Sequence, residues 1–359
     1  MTAGGPHFLL AGSGAELTAR GAVAAFTEPA AAAAALRRGR HRIVVGAMPF
    51  DLGEPAALVV PESVEALTVP CGAATGRCGL PALEFAAECP VIDDYLARVR
   101  EVIRRIETGE LERAVLARVI EFAAAEPVDA IGLARHLARR DIGGNAFHVD
   151  LGPAGPAHTD RVLVGSSHEV LVHRRGDTVV CHPWTCVDAH PDGLLDPPDE
   201  LDRHAAVVDA VATVLGPLCT ELEVPQGSSV ACAGDGRRLS TVVTGRIRDA
   251  ETSALDLALA LHPTPAVCGS PKAAATRAIA EVEGQRGFFA GLVGWTDMYG
   301  DGHWRVASRC AELGADRKSL RAWAGCGVVA GSNPALELAE TADKLRTVLG
   351  PFRILATTG

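Results

Sequence analysis

Lysine is almost missing from this chain: three residues stand against 31 arginines. So strong an arginine preference reads as drift in base composition, and a lysine-to-arginine difference carries little meaning alone. No run of about 18 apolar residues occurs, which excludes a membrane-spanning helix. The opening "MTAGGPHFLLAGSG" has no basic stretch leading into an apolar one, so no secretory signal is expected. Positive charge is short overall. The formal net charge of −10 argues against a nucleic-acid partner. The ten cysteines form no C-x-x-C pair, and several lie in apolar runs. They read as buried thiols of a cytoplasmic protein. His182, His190 and His204 lack metal-ligand spacing. No glycine loop carries Gly-Lys-Ser/Thr before a helix, and "GSSHE" is not G-x-S-x-G.

What is present is a large apolar core. Hydrophobic residues make up 48% of the 359 positions and charged ones 22%. That balance describes a folded globular chain. Residues 1–90 alternate short apolar runs with Gly and Pro, the pattern of strands and turns, with a helix before "HRIVVGAMPF". "PVIDDYLARVREVIRRI" has helical spacing, "RAVLARVIEFAA" reads as a strand, and "VDAIGLARHLARR" as a helix. A strand and a two-stranded meander follow to Trp184, then a Pro-rich loop over 187–200 and a long helix. The "YGDG" of residues 299–302 is a hairpin turn. Long antiparallel strands with interspersed helices predict an α/β chain of the mixed kind, built as one domain over 1–359. No repeat or low-complexity linker divides it.

The last helix should open on Asn333 as N-cap and Pro334 at its first position. Glu337, Glu340 and Lys344 then share one face, three and four residues apart. Spacing alone makes Glu340 and Lys344 an ordinary exposed pair. The preceding "GCG", read as a glycine turn, adds backbone N–H groups that an anion could approach closely at Gly325, Cys326 and Gly327.

Three stretches carry more than periodicity: "LHPTPAVCGSPKAAATRAIAEVEGQRGFFAGLVGW", "WRVASRCAEL" and "GCGVVAGSNPALELAETADKL". They closely resemble the chorismate-utilising enzymes, nearest to the isochorismate synthase branch. The likeness runs over residues 91–350, with 1–90 less similar. It implies the anthranilate synthase component I-like fold, two large antiparallel sheets packed together with helices outside, and a monomer that binds chorismate with Mg²⁺.

The resemblance also assigns roles. Arg309 would grip a substrate carboxylate, and Lys344 with Gly325 and Gly327 another. Glu340 and Glu337 stand where the family binds Mg²⁺. Phe289 lines the pocket, and Glu169 is the acid that protonates the leaving hydroxyl, with His168 in place of the family's proline. Four departures accompany these matches. Arg113 replaces the lysine base, and a guanidinium cannot surrender its proton to act as one. "PWTCV" replaces a small glycine turn, putting Thr185, Cys186 and Val187 there. Aligned without gaps, Arg203 replaces a glutamate ligand of Mg²⁺. Arg238 replaces a histidine, beside Thr241.

Three readings stay open. The chain is an enzyme on chorismate, isochorismate or a close cyclic dicarboxylate, with altered metal-free elimination, lyase or rearrangement chemistry in secondary metabolism. Or it is an inactive homologue that binds a ligand or partner. Or it is an ordinary Mg²⁺-dependent isochorismate synthase. The first makes Glu169, Arg113 and Arg238 the reacting groups. It leaves Arg309, Lys344, residues 325–327, Thr241, Phe289 and Arg203 to hold a small dicarboxylate. No cofactor is expected from the residues; Mg²⁺ enters by resemblance alone.

Overall fold

The computed structural model describes residues 7–12, 14–68, 79–141, 143–167, 169–187, 198–233 and 236–355. Two large sheets dominate. The eleven-stranded one runs from Leu83–Cys89 through Arg113–Ala124, Ser319–Val328, Cys310–Leu313, Val162–Gly165 and Ala146–Asp150. It ends on Phe8–Gly12, Ala15–Arg20 and Ser63–Thr68. The short Ile354–Leu355 flanks Leu83–Cys89 in parallel, and Gly269–Ser270 pairs the start of Arg113–Ala124. The nine-stranded sheet places Gly302–Val306 and Leu292–Asp297 at its middle. Every other pairing is antiparallel, as the alternation in the sequence predicts.

The sheets meet across one apolar layer. Phe8, Leu10 and Phe147 of the first share a buried cluster with Met48, Val293 and Trp304 of the second. A separate cluster buries Val164 and Leu320 against Leu133 and Leu345 of the helices Ala130–Arg140 and Pro334–Leu349. Two sheets packed together with helices outside is therefore the observed architecture. No helix among the described residues is long and apolar enough to cross a membrane.

Several local expectations match their elements. Asp129 caps Ala130–Arg140 through Gly132 N–H, and the Asn333 side chain accepts from Ala335 N–H at 2.9 Å ahead of Pro334. The "YGDG" turn is fastened by Asp297, whose Oδ1 accepts from the N–H groups of Tyr299 and Asp301. Two expectations need correction. Gly325, Cys326 and Gly327 are not a turn: they lie in the Ser319–Val328 strand, paired with Ala117, Leu116 and Val115. The turn comes later, at Ala330–Gly331. "WTCV" is likewise a strand, Trp184–Val187, in a third, three-stranded sheet with Gly236–Ser240 and Ser229–Ala233. Most of the predicted loop over 187–200, namely 188–197, lies outside the described residues, and the following helix spans Pro198–Leu215.

Candidate active site

The strands Arg113–Ala124 and Ser319–Val328 form one wall of a cavity that also takes in Glu169, Arg203, Arg309 and Lys344. Side chains alternate along a strand, so Arg113, Val115 and Ala117 share a face with Gly327, which pairs with Val115, and Gly325, which pairs with Ala117. Glycine is required there for space. A methyl on Gly327 would stand 2.8 Å from Nε and 2.9 Å from Cζ of Arg113. Replacing Gly327 with Ala forces that guanidinium aside. The expected result is a fold that melts within a few degrees of the parent, with affinity for a dicarboxylate ligand about tenfold lower by calorimetry, a loss of about 1.4 kcal/mol.

Cys326 faces the other way. Its Sγ lies 3.0 Å from the Tyr95 hydroxyl of the helix Ile92–Glu107 and is fully buried. It contributes no side chain to the cavity. Burial, more than any neighbour, pushes the Tyr95 hydroxyl far above its usual range and the Cys326 thiol well above its own.

Lys344 reaches back from the last helix. Its Nζ donates to the Gly325 carbonyl at 2.8 Å and sits 2.5 Å from Glu340 Oε1. The helix is tied to the sheet by Arg118, whose Nε donates to Thr341 Oγ1 at 2.7 Å and whose Nη1 pairs with Glu88. Glu337 is half-buried on the same side; its charge reaches Tyr95, Cys326 and Arg113. Arg309 is 8% exposed, and its carbonyl accepts from Ser166 N–H, fixing it beside the loop that carries Glu169.

Glu169 is a buried acid, 7% exposed. Its carboxyl is pushed up to about 7 by burial, against a small opposing pull from Thr264 Oγ1, which donates to Oε1 at 3.3 Å. At neutral pH about half of it carries a proton. Phe289 lines the cavity and stacks on Trp323, with centroids 5.6 Å apart and planes 10° off parallel. The next residue, Ala290, holds a left-handed φ of 59°, a conformation non-glycine residues keep only when the surroundings enforce it.

One predicted ligand-binding position does not line the cavity. Thr241 is buried behind the cavity wall, where its Oγ1 lies 2.8 Å from His204 Nε2. His204 Nδ1 lies 3.0 Å from Thr185 Oγ1, and Thr185 does line the cavity. Thr241 is thus two side chains removed from any ligand. Burial lowers His204, which keeps it neutral between the two hydroxyls. The backbone of Arg238 pairs with Cys186 and Ala231, while its side chain, like all of His168, lies outside the described residues. Thr264, Ala266 and Ser308 are the neighbours that sequence reasoning passed over. The first two sit inside "HPTPAV", a stretch whose likeness marked its importance without indicating what it touches.

Four cationic side chains, Arg113, Arg203, Arg309 and Lys344, thus line the cavity with two carboxyls, Glu169 and Glu340. Its sign opposes the chain's net charge of −10. A positive cleft in a negative protein attracts anions.

The model of the chorismate binding enzyme family matches residues 84–352. The chain belongs to that family. A candidate isochorismate synthase of Mycobacterium tuberculosis, MenF, is 43% identical over 357 residues, covering 96% of this chain and 95% of its own. Isochorismate synthase DhbC of Bacillus subtilis is 40% identical over 341 residues, with 88% and 82% covered. The crystal structure of a candidate DhbC from Bacillus anthracis superposes with a TM-score of 0.87 at 35% identity, over 96% of each chain. The architecture of this family member is therefore that of solved isochorismate synthase-type chains.

Proposed function

We propose that this family member is an enzyme of the isomerase or lyase kind that binds chorismate, isochorismate or a close cyclic dicarboxylate. In this reading Arg309 and Lys344 hold carboxylate, Phe289 packs the ring, and Glu169 protonates a leaving hydroxyl. The observation that carries it is a single buried acid, poised near neutrality, inside a cavity lined by four cations. Charge-assisted hydrogen bonds from guanidinium and ammonium groups suit a dianion, and a donor with a pKa near the working pH suits proton transfer.

Arg113 cannot act as base, because the guanidinium keeps its proton even where burial lowers it. Addition of water to the ring therefore lacks the base that a lysine at position 113 would supply. Elimination or rearrangement, which needs an acid and a held dianion, is better served.

Incubation with chorismate and with isochorismate, followed by mass spectrometry, checks this. The expected outcome is consumption of one of them to a product other than the simple hydroxyl isomer. Absence of turnover together with absence of any thermal shift would favour the inactive homologue instead.

A further inference from the structure

The likeness to isochorismate synthases casts Glu337 and Glu340 as partners of Mg²⁺, an ion that requires near-octahedral hard oxygens. The donor set does not fit it. Among the described residues no group of three or more His, Cys, Asp and Glu stands close enough to hold a metal ion. Glu340 already shares its Oε1 with Lys344 at 2.5 Å. Arg113 and Lys344 are cations near these carboxylates. Arg113 feels the attraction of Glu340 and Glu337 and, more strongly, the repulsion of Arg203. Both arginines line the cavity, Arg113 from the strand Arg113–Ala124 and Arg203 from the helix Pro198–Leu215.

We propose that the guanidinium groups of Arg113 and Arg203 stand in for the divalent ion, so that the cavity holds its anionic ligand without metal. This rests on the dicarboxylate reading given above. Two features carry it besides the charge count. Arg113 Nε is buried and meets no acceptor among the described residues, although it is a donor at the cavity wall. A buried donor of this kind is costly unless a ligand oxygen completes it. Gly327 is also shaped to admit that guanidinium, since any side chain there would collide with it. A planar fork of N–H donors can hold a carboxylate through two parallel hydrogen bonds, which a hydrated Mg²⁺ cannot reproduce.

The test is calorimetric titration of the full chain with MgCl₂ alone, then of Arg203→Glu and of the double variant Arg113→Lys, Arg203→Glu. The parent should give no saturable heat, and the double variant should gain saturable Mg²⁺ binding. A parent that binds Mg²⁺ saturably, or a folded double variant that gains nothing, overturns the proposal. Should the double variant fail to fold by circular dichroism, Arg203→Gln decides. Its chorismate affinity should fall about tenfold, and the parent's should be unchanged by EDTA. Unchanged affinity in Arg203→Gln, or a tenfold loss in the parent with EDTA, overturns it. The metal titration uses no organic ligand. Failure of the substrate assignment would show as a parent that binds neither chorismate nor isochorismate, and would leave the metal result standing.

Discussion

Glu169→Gln should lose at least about 100-fold in turnover, the usual effect of deleting a general acid, and at the same time melt higher above pH 7. The two effects share one cause. Burial raises the carboxyl from its ordinary 4.5 to about 7, which corresponds to about 3 kcal/mol of preference for the protonated form in the folded chain. The sign follows from linkage. Below pH 4.5 both folded and unfolded chains carry the proton and nothing is lost. Stability falls as the pH rises from 4.5 to about 7, where the unfolded chain sheds a proton that the folded chain retains, and the loss is complete once the folded group ionises. Glutamine escapes that penalty, so the variant gains several degrees at pH 8 and little at pH 5. Differential scanning calorimetry at both values and single-substrate kinetics read the two halves. Turnover within threefold of the parent would remove Glu169 from the chemistry.

The second large effect is structural and lies just outside the cavity. Arg286 and Glu283 form a buried pair at 2.7 Å, with side chains 0% and 7% exposed. Arg286 donates to the Val267 carbonyl at 2.9 Å and to that of Val115, and its guanidinium lies 4.6 Å from the Phe50 ring centroid. Glu283 Oε2 accepts from Ala117 N–H at 2.9 Å. The pair therefore sutures the strand that bears Arg113 to the loop that bears Ala266 and Val267. Arg286→Met leaves a buried carboxylate without its counter-charge, and the expected cost is about 3–5 kcal/mol. Adding Glu283→Gln to it should restore part of that loss, because the stranded charge goes with it. Chemical denaturation of the single and double variants measures the difference. A single variant within 1 kcal/mol of the parent would mean, on the same reasoning, that water or another cation reaches Glu283.

Local features were readable from the residues. The strand Arg113–Ala124 coincides with "RAVLARVIEFAA", and the Asn-Pro start of the last helix follows from capping chemistry. The placement of Arg203 at the cavity came from a gapless alignment, and the structure brings it there. What failed did so for nameable reasons. Glycine usually signals a turn, so "GCG" reads as one; here its missing side chains admit Arg113 while the strand continues. Strand alternation would have placed Cys326 opposite Gly325 and Gly327, once the strand was recognised. Thr241 and His204 pose a harder case. Nothing in a linear spacing of 37 residues reveals that an imidazole stands between that hydroxyl and the cavity. The raised Glu169 depends on burial by distant segments, against the pull of its hydrogen bond from Thr264, 95 residues away.

The fastening of Lys344 to the Gly325 carbonyl bears on biosynthesis. A ribosome delivers the carboxyl at 169 long before the ammonium at 344, and that ammonium is oriented by the Ser319–Val328 strand made shortly before it. A nascent or truncated chain ending before Pro334 therefore possesses the acid without the last helix's Glu340 and Lys344. Of the four cationic side chains that line the cavity, Lys344 is thus the last to be made, after Arg113, Arg203 and Arg309.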